Sequence, residues 1–133
     1  MANTTIKKLF GDPIKEIEAI REGVLPQDIE GYLSSHEYVM KDVLQRLDIP
    51  ASTYKSKKGK GQVLDSASSE KLMRLVSVTK VAGEIIGESD TKDWLYREIP
   101  SLGNRKPIDL LDTEVGHRLV EQALQQIKYG VYS

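Results

Sequence analysis

The apolar residues recur mainly at three- and four-residue spacing, so the pattern predicts helices throughout. Ile14, Ile17, Ala19 and Ile20 are interleaved with Lys15, Glu16, Glu18 and Arg21. Gly11-Asp12-Pro13 precedes them as a turn or helix-start signal, and Gly23 follows as a stop. A second helix is expected from about Pro26, with Ile29 and Leu33 facing one way. Ser35 is expected to cap a helix from about His36 to Leu47, with Tyr38, Val39, Val43, Leu44 and Leu47 on its buried face. Asp48-Ile49-Pro50 breaks that helix, and a short helical piece runs from about Ala51 to Lys58. Gly59 to Leu64 reads as a linker.

Asp65 or Ser66 then caps the longest stripe, Leu72, Leu75, Val76, Thr79, Ala82, Ile85 and Ile86, which closes at Gly87. Ser89 is the expected N-cap of a helix carrying Trp94, Leu95 and Ile99 and ending at Pro100, with Trp94 in the core. Gly103 and Pro107 bracket Asn104-Arg105-Lys106, and their fixed or left-handed backbone preferences predict an ordered loop. Asp109 is placed to cap or support the turn at Leu110-Leu111. Thr113 is a good N-cap for a last helix, with Glu114 in its first turn, Lys128 in its last and Gly130 beyond its end. Val115, Leu119, Val120, Ala123, Leu124 and Ile127 are its expected core stripe. The small Gly116 predicts close backbone approach, by internal packing or by a partner.

The fold class that follows is all-α, with a central helix joining an N-terminal and a C-terminal lobe. We divide the chain into an N-terminal extension at 1–23, two helices with a tight turn within 24–64, and the central helix with the C-terminal lobe at 65–133. Residues 1–23 either pack on the core or serve as a dimer arm.

Composition narrows the function. The chain holds no cysteine, which excludes disulfides and thiolate metal sites. Its histidines, His36 and His117, are far apart, so no metal and no cofactor is expected. No apolar run approaches the roughly 20 residues of a membrane span. No apolar signal segment opens the chain, so a cytoplasmic location with no membrane partner is the expectation. No nucleophile–base–orienter set, P-loop or dinucleotide fingerprint is visible, so an enzyme is not expected.

The net charge of −1 conceals an asymmetry. Glu37 to Gln62 carries six Lys/Arg against three Asp/Glu, a balance of +3, whereas Glu88 to Ser133 carries six against eight, a balance of −2. Ser52, Thr53, Tyr54, Lys55, Lys57, Lys58 and Lys60 form a short basic segment without an acid. It is either a solvated charge run or a DNA contact. Two helices with a tight turn, the second basic, look like a helix-turn-helix. Lysine and hydroxyl side chains neutralise and contact phosphates but read bases less well than arginine. Modest base readout per subunit would make a dimer on a two-fold operator the source of specificity. The usual turn glycine is missing, and Asp48 stands in its neighbourhood.

The C-terminal stretch is more specific. Pro100, Leu102, Gly103, Pro107, Asp109, Leu110, Leu111, Thr113, Gly116, Val120, Leu124 and Tyr129-Gly130 stand at spacings that resemble the toxin-binding domain of the Xre/MbcA/ParS antitoxins. Residues 24–33 resemble the opening helix of that family's Xre-like helix-turn-helix region. The resemblance implies an antitoxin of a type II toxin–antitoxin system. Its partner would be a cognate toxin, often a RES-domain enzyme that degrades NAD. It further implies a homodimer that binds operator DNA and represses its own operon.

On this reading Tyr129, Gly130, Val131, Tyr132 and Ser133 occlude the toxin's active site, with Arg105 and Lys106 as nearby polar contacts. The bland alternative folds Tyr129, Val131 and Tyr132 back onto the core. Two other functions stay open: a helix-turn-helix regulator with no toxin partner, and an inhibitor whose helix-turn-helix only builds a dimer.

Overall fold

Apolar stripes at helical spacing can be buried only by packing helix on helix, and the computed structural model, which describes Ile6 and residues 12–130, is all-α over the described residues. It divides into two compact units, Met1–Met73 and Arg74–Ser133.

In the first unit, α1 spans Pro13–Glu22. Asp12 caps it, its carboxylate accepting from the Lys15 amide at 3.3 Å. None of its residues is buried, and Ile14 and Ile17 are 63% and 43% exposed. Gly23 takes φ +92°, and a Cβ there would stand 2.2 Å from the Leu64 carbonyl oxygen. That close approach accompanies a backbone clasp. The Leu64 amide donates to the Val24 carbonyl at 2.9 Å, and the Val24 amide donates to the buried Ser69 hydroxyl at 3.0 Å.

Helix α2, Pro26–Ser35, buries Ile29, Tyr32 and Leu33. It does not end where the sequence suggests. Ser35 is its last residue rather than the cap of a following helix, and its hydroxyl donates back to the Tyr32 carbonyl at 2.6 Å. Glu37 adopts φ +69°, with the Tyr38 amide donating to Leu33 and the Glu37 amide to Ser34. These are the paired hydrogen bonds of a Schellman ending, and its apolar contact partners, Leu33 and Tyr38, are both buried. The next helix, α3, therefore starts only at Met40 and ends at Arg46. Val39, expected in the core, is its N-cap and is 60% exposed.

The turn after α3 repeats the device. Asp48 takes φ +56°, the Ile49 amide donates to Leu44, and the Asp48 amide donates to Gln45. Asp48 thus supplies the left-handed residue that a glycine would otherwise supply. Pro50 caps α4, Ala51–Gly59. Val43, Leu44, Leu47, Ile49 and Tyr54 are buried, so both helices and their turn feed one core.

Helix α5, Ser66–Ile86, contains the division between the units. Asp65 begins it, its carboxylate accepting from the Ser68 amide at 3.0 Å. That hydrogen bond, aided by nearby Lys57, holds the Asp65 carboxyl below its usual range. In the second unit Leu75, Val76, Val78, Thr79 and Ala82 of α5 are buried, and Ile85 and Ile86 are half-buried.

Helix α6 spans Glu88–Leu95, with Gly87 rather than Ser89 as its N-cap. It also ends earlier than Pro100. Ile99 leaves the helical pattern to pair with Arg105, its amide donating to the Arg105 carbonyl at 3.0 Å. Trp94 is buried as expected. Two 3-10 turns, Pro100–Leu102 and Pro107–Leu110, lead to α7, Glu114–Lys128. No helix among the described residues is long and apolar enough to cross a membrane.

Candidate interaction surfaces

On α4 the side chains divide by angle around the helix. Ser52, Thr53, Lys55, Lys58 and Lys60 are exposed, and Lys57 is half-buried. Tyr54 points inward and is 3% exposed, so its ring belongs to the core and leaves the candidate DNA-contacting set. Its hydroxyl donates at 2.8 Å to the Glu30 carboxylate of α2. Burial, and then that carboxylate, push the phenol above its ordinary range. The second Glu30 oxygen accepts from Lys58 Nζ, also at 2.8 Å. One acid, 24 and 28 residues upstream, therefore holds two members of the basic segment. The acid-free run of lysines carried no sign of this, because Glu30 lies outside it.

The 99–110 loop is as ordered as its glycine and proline predict. Gly103 and Asn104 take φ +69° and +59°, and the Asn104 amide donates to the Ile99 carbonyl at 3.0 Å. Arg105 is exposed and Lys106 half-buried. They line one open groove of about 370 Å³ together with Glu98, Asn104, Asp109 and Leu110. Two cations thus face two anions, a surface suited to a polar partner with charges of both signs. A second, mainly apolar groove of about 280 Å³ is lined by residues that include Trp94, Ile99, Pro100, Ala123 and Ile127.

Helix α7 is fixed at its start by Thr113, whose hydroxyl accepts from the Gly116 amide at 3.0 Å. Gly116 is itself buried against the preceding 3-10 turn, where a Cβ would fall 1.8 Å from the Leu110 carbonyl oxygen. Its smallness therefore serves internal packing. The consequence is a rotation of the helix relative to the expected stripe. Gly116, Val120, Ala123 and Leu124 face the core, while Val115 and Leu119 are 59% and 45% exposed. The expectation that Val115 and Leu119 are core residues is thus corrected: the helix approaches its neighbour through the glycine side.

Beside them, Arg74 of α5 donates to the Leu111 carbonyl at 3.2 Å and stands 3.8 Å from Glu114. His117 lies between Glu114 and Glu121, at 3.9 and 3.5 Å.

At the end of α7, Tyr129 is the C-cap and 69% exposed, with Lys128 Nζ 5.5 Å from its ring centre. Gly130 takes φ +69°, as a residue past a helix end does. Tyr129 and Gly130 line neither groove described above. Val131, Tyr132 and Ser133, expected to reach a toxin, lie outside the described residues. Among the described residues no group of three or more His, Asp or Glu is arranged to hold a metal ion.

Residues 81–130 match the model of the antitoxin Xre/MbcA/ParS C-terminal toxin-binding domain. The chain is 28% identical over 131 residues to the Prs ADP-ribosylating antitoxin of Sphingobium sp. (strain YBL2), a match covering 91% of this chain and 82% of that protein. It is 28% identical over 94 residues to antitoxin Xre of Yersinia enterocolitica, covering 69% of this chain and 64% of the relative. It is 32% identical over 83 residues to antitoxin Xre of Pseudomonas putida, covering 62% and 52%. The chain thus spans less than two thirds of the length of either Xre relative. The matched region holds the 3-10 turns, the Gly116 contact and α7 described above, and over it the chain is similar to the toxin-binding domain of the Xre/MbcA/ParS antitoxins.

Proposed function

We propose that this protein is the antitoxin of a type II toxin–antitoxin pair and neutralises its cognate toxin through the C-terminal unit. The observation that carries the reading is the family match over residues 81–130, which coincides with an ordered domain ending in an exposed aromatic. The chain acts by binding, in the cytoplasm, and not as an enzyme. Its toxin is of the RES type. The Sphingobium relative is named for ADP-ribosylation, a reaction whose ADP-ribose donor is NAD, the molecule a RES toxin degrades. A cleft holding that dinucleotide is closed by the end of the chain, from Tyr129 through Gly130, Val131, Tyr132 and Ser133. Arg105 and Lys106 meet the toxin around it. An exposed aromatic anchor is the kind of residue on which binding energy concentrates.

The experiment is co-expression with a RES-domain toxin encoded beside this chain. The full chain restores growth and co-purifies with the toxin. Arg105→Ala/Lys106→Ala weakens co-purification while leaving the helical content unchanged. Growth arrest with the full chain present would reject the proposal for that toxin.

A second activity rests on a separate observation. Helices α3 and α4, joined by the Asp48 turn, have the order of a helix-turn-helix, and α4 with its C-cap Lys60 exposes Ser52, Thr53, Lys55, Lys58 and Lys60 to solvent with Lys57 half-exposed. The reading is that a homodimer presents this helix to its operator and represses its operon. Changing Lys55, Lys57 and Lys60 to Ala abolishes operator retardation in a gel and spares toxin binding. The regulator without a toxin partner predicts no co-purification. The inhibitor without DNA binding predicts no retardation by the unmodified chain.

A further inference from the structure

The count of cations available to DNA is smaller than the count of lysines on α4, because one of them is engaged from within. Glu30 extends from α2 with both carboxylate oxygens in use, one accepting from buried Tyr54 and the other from Lys58, each at 2.8 Å. The Glu30 side chain is 23% exposed and that of Lys58 46% exposed, so the pair sits at the rim between the α2–α4 core and solvent. A carboxylate there does what a DNA phosphate would do, offering an anionic oxygen to an ammonium group. The same carboxylate ties α4 to α2 a second time, through the buried Tyr54 hydroxyl.

We infer that Glu30 is an internal counter-ion for the basic helix: it positions α4 through Tyr54 and withholds Lys58 from the phosphate backbone, so that the exposed Lys55 and Lys60 carry the contact, with half-buried Lys57 behind them. This inference rests on the reading of α4 as a DNA-facing helix. Its physical content is a charge count. Each phosphate neutralised contributes about 0.9 to the slope of log affinity against log salt on duplex DNA. A lysine held by Glu30 contributes nothing to that slope until the carboxylate is removed.

Glu30→Gln isolates the effect. Glutamine keeps an oxygen for the Tyr54 hydroxyl and loses the charge that holds Lys58. The probe is a mixed-sequence duplex titrated with the full chain over a range of salt concentrations, with circular dichroism confirming unchanged helical content. Lys55→Ala lowers the slope by about 0.9, and Lys58→Ala leaves it unchanged. Glu30→Gln raises it by about 0.9, and Glu30→Gln/Lys58→Ala returns it to the unmodified value.

Three outcomes overturn the inference in distinguishable ways. If Lys58→Ala lowers the slope as much as Lys55→Ala, Lys58 already contacts phosphate. If the gain from Glu30→Gln survives in the double variant, it reflects the lost negative charge alone and not Lys58. If the unmodified chain retains no duplex at low salt, the DNA reading of α4 fails and this inference with it.

Discussion

Gly116→Ala is the substitution on which the geometry of the C-terminal unit can be judged. In an ordinary helix interior, replacing glycine by alanine stabilises by about 1 kcal/mol, because glycine loses more backbone freedom on folding. At Gly116 the added Cβ would meet the Leu110 carbonyl oxygen at 1.8 Å and its carbon at 2.7 Å. Both atoms are backbone of the 3-10 turn, so relief requires α7 and that turn to separate. Overpacking of this kind costs about 1–3 kcal/mol. The expected net is a loss of up to about 2 kcal/mol, the clash outweighing the propensity gain.

Gly83 is the internal control. It is also helical and in the second unit, but its Cβ would meet the Glu88 and Thr91 side chains at 3.4 and 3.8 Å, ordinary contact distances. Gly83→Ala is therefore neutral or stabilising by up to about 1 kcal/mol. Urea unfolding followed by the fluorescence of Trp94, the single tryptophan and buried in this unit, reads both variants. The midpoint falls for Gly116→Ala and holds or rises for Gly83→Ala. Equal midpoints for the two variants would refute the close-approach argument.

Other expectations follow from the same geometry. Thr113→Ala removes the α7 cap and lowers stability by about 1 kcal/mol in the same unfolding experiment. Gly23→Ala combines a φ of +92° with a Cβ 2.2 Å from the Leu64 oxygen, so it lowers the thermal midpoint of the first unit measured by circular dichroism. The Ser68 amide holds the Asp65 carboxyl of the folded chain below the usual carboxylate range. Its contribution is therefore fully present above the unfolded pKa and is lost as pH falls through the folded value. Asp65→Asn should flatten that part of the acid limb in unfolding curves taken from neutral pH down to pH 2 or so. An unchanged acid limb would show that the cap carries no linkage.

How far the sequence revealed the fold depended on the kind of signal. Thr113, Gly103, Pro107 and Gly130 each act through their own backbone or cap chemistry, and the structure places them as their types predict. The end of α2 was not legible, because its left-handed residue is Glu37, a type that gives no such signal, and its closing hydrogen bond runs from the amide of buried Tyr38 to the carbonyl of buried Leu33. The error at Val115 and Leu119 has a different source. Periodicity identifies the apolar arc but not which edge of it faces the core, and a glycine, invisible to a hydrophobicity count, decided that edge. Tyr54 was misplaced for the converse reason. It lies in a basic run, yet a tyrosine opposite the exposed residues of a short helix is its only large core side chain. Glu30 could not be found at all by local reading, since its partners stand 24 and 28 residues away.

The proposal that the C-terminal end of this chain silences an NAD-consuming toxin can be tested directly. The most direct test measures NAD loss by a purified RES-domain toxin encoded beside it, titrated with the full chain and with a chain ending at Gly130. The account predicts that the full chain stops NAD loss near stoichiometric addition and that the shortened chain still binds but no longer protects. Equal protection by both chains would place the inhibitory surface elsewhere on the C-terminal unit. Absence of protection by either would contradict the assignment of this toxin as the partner.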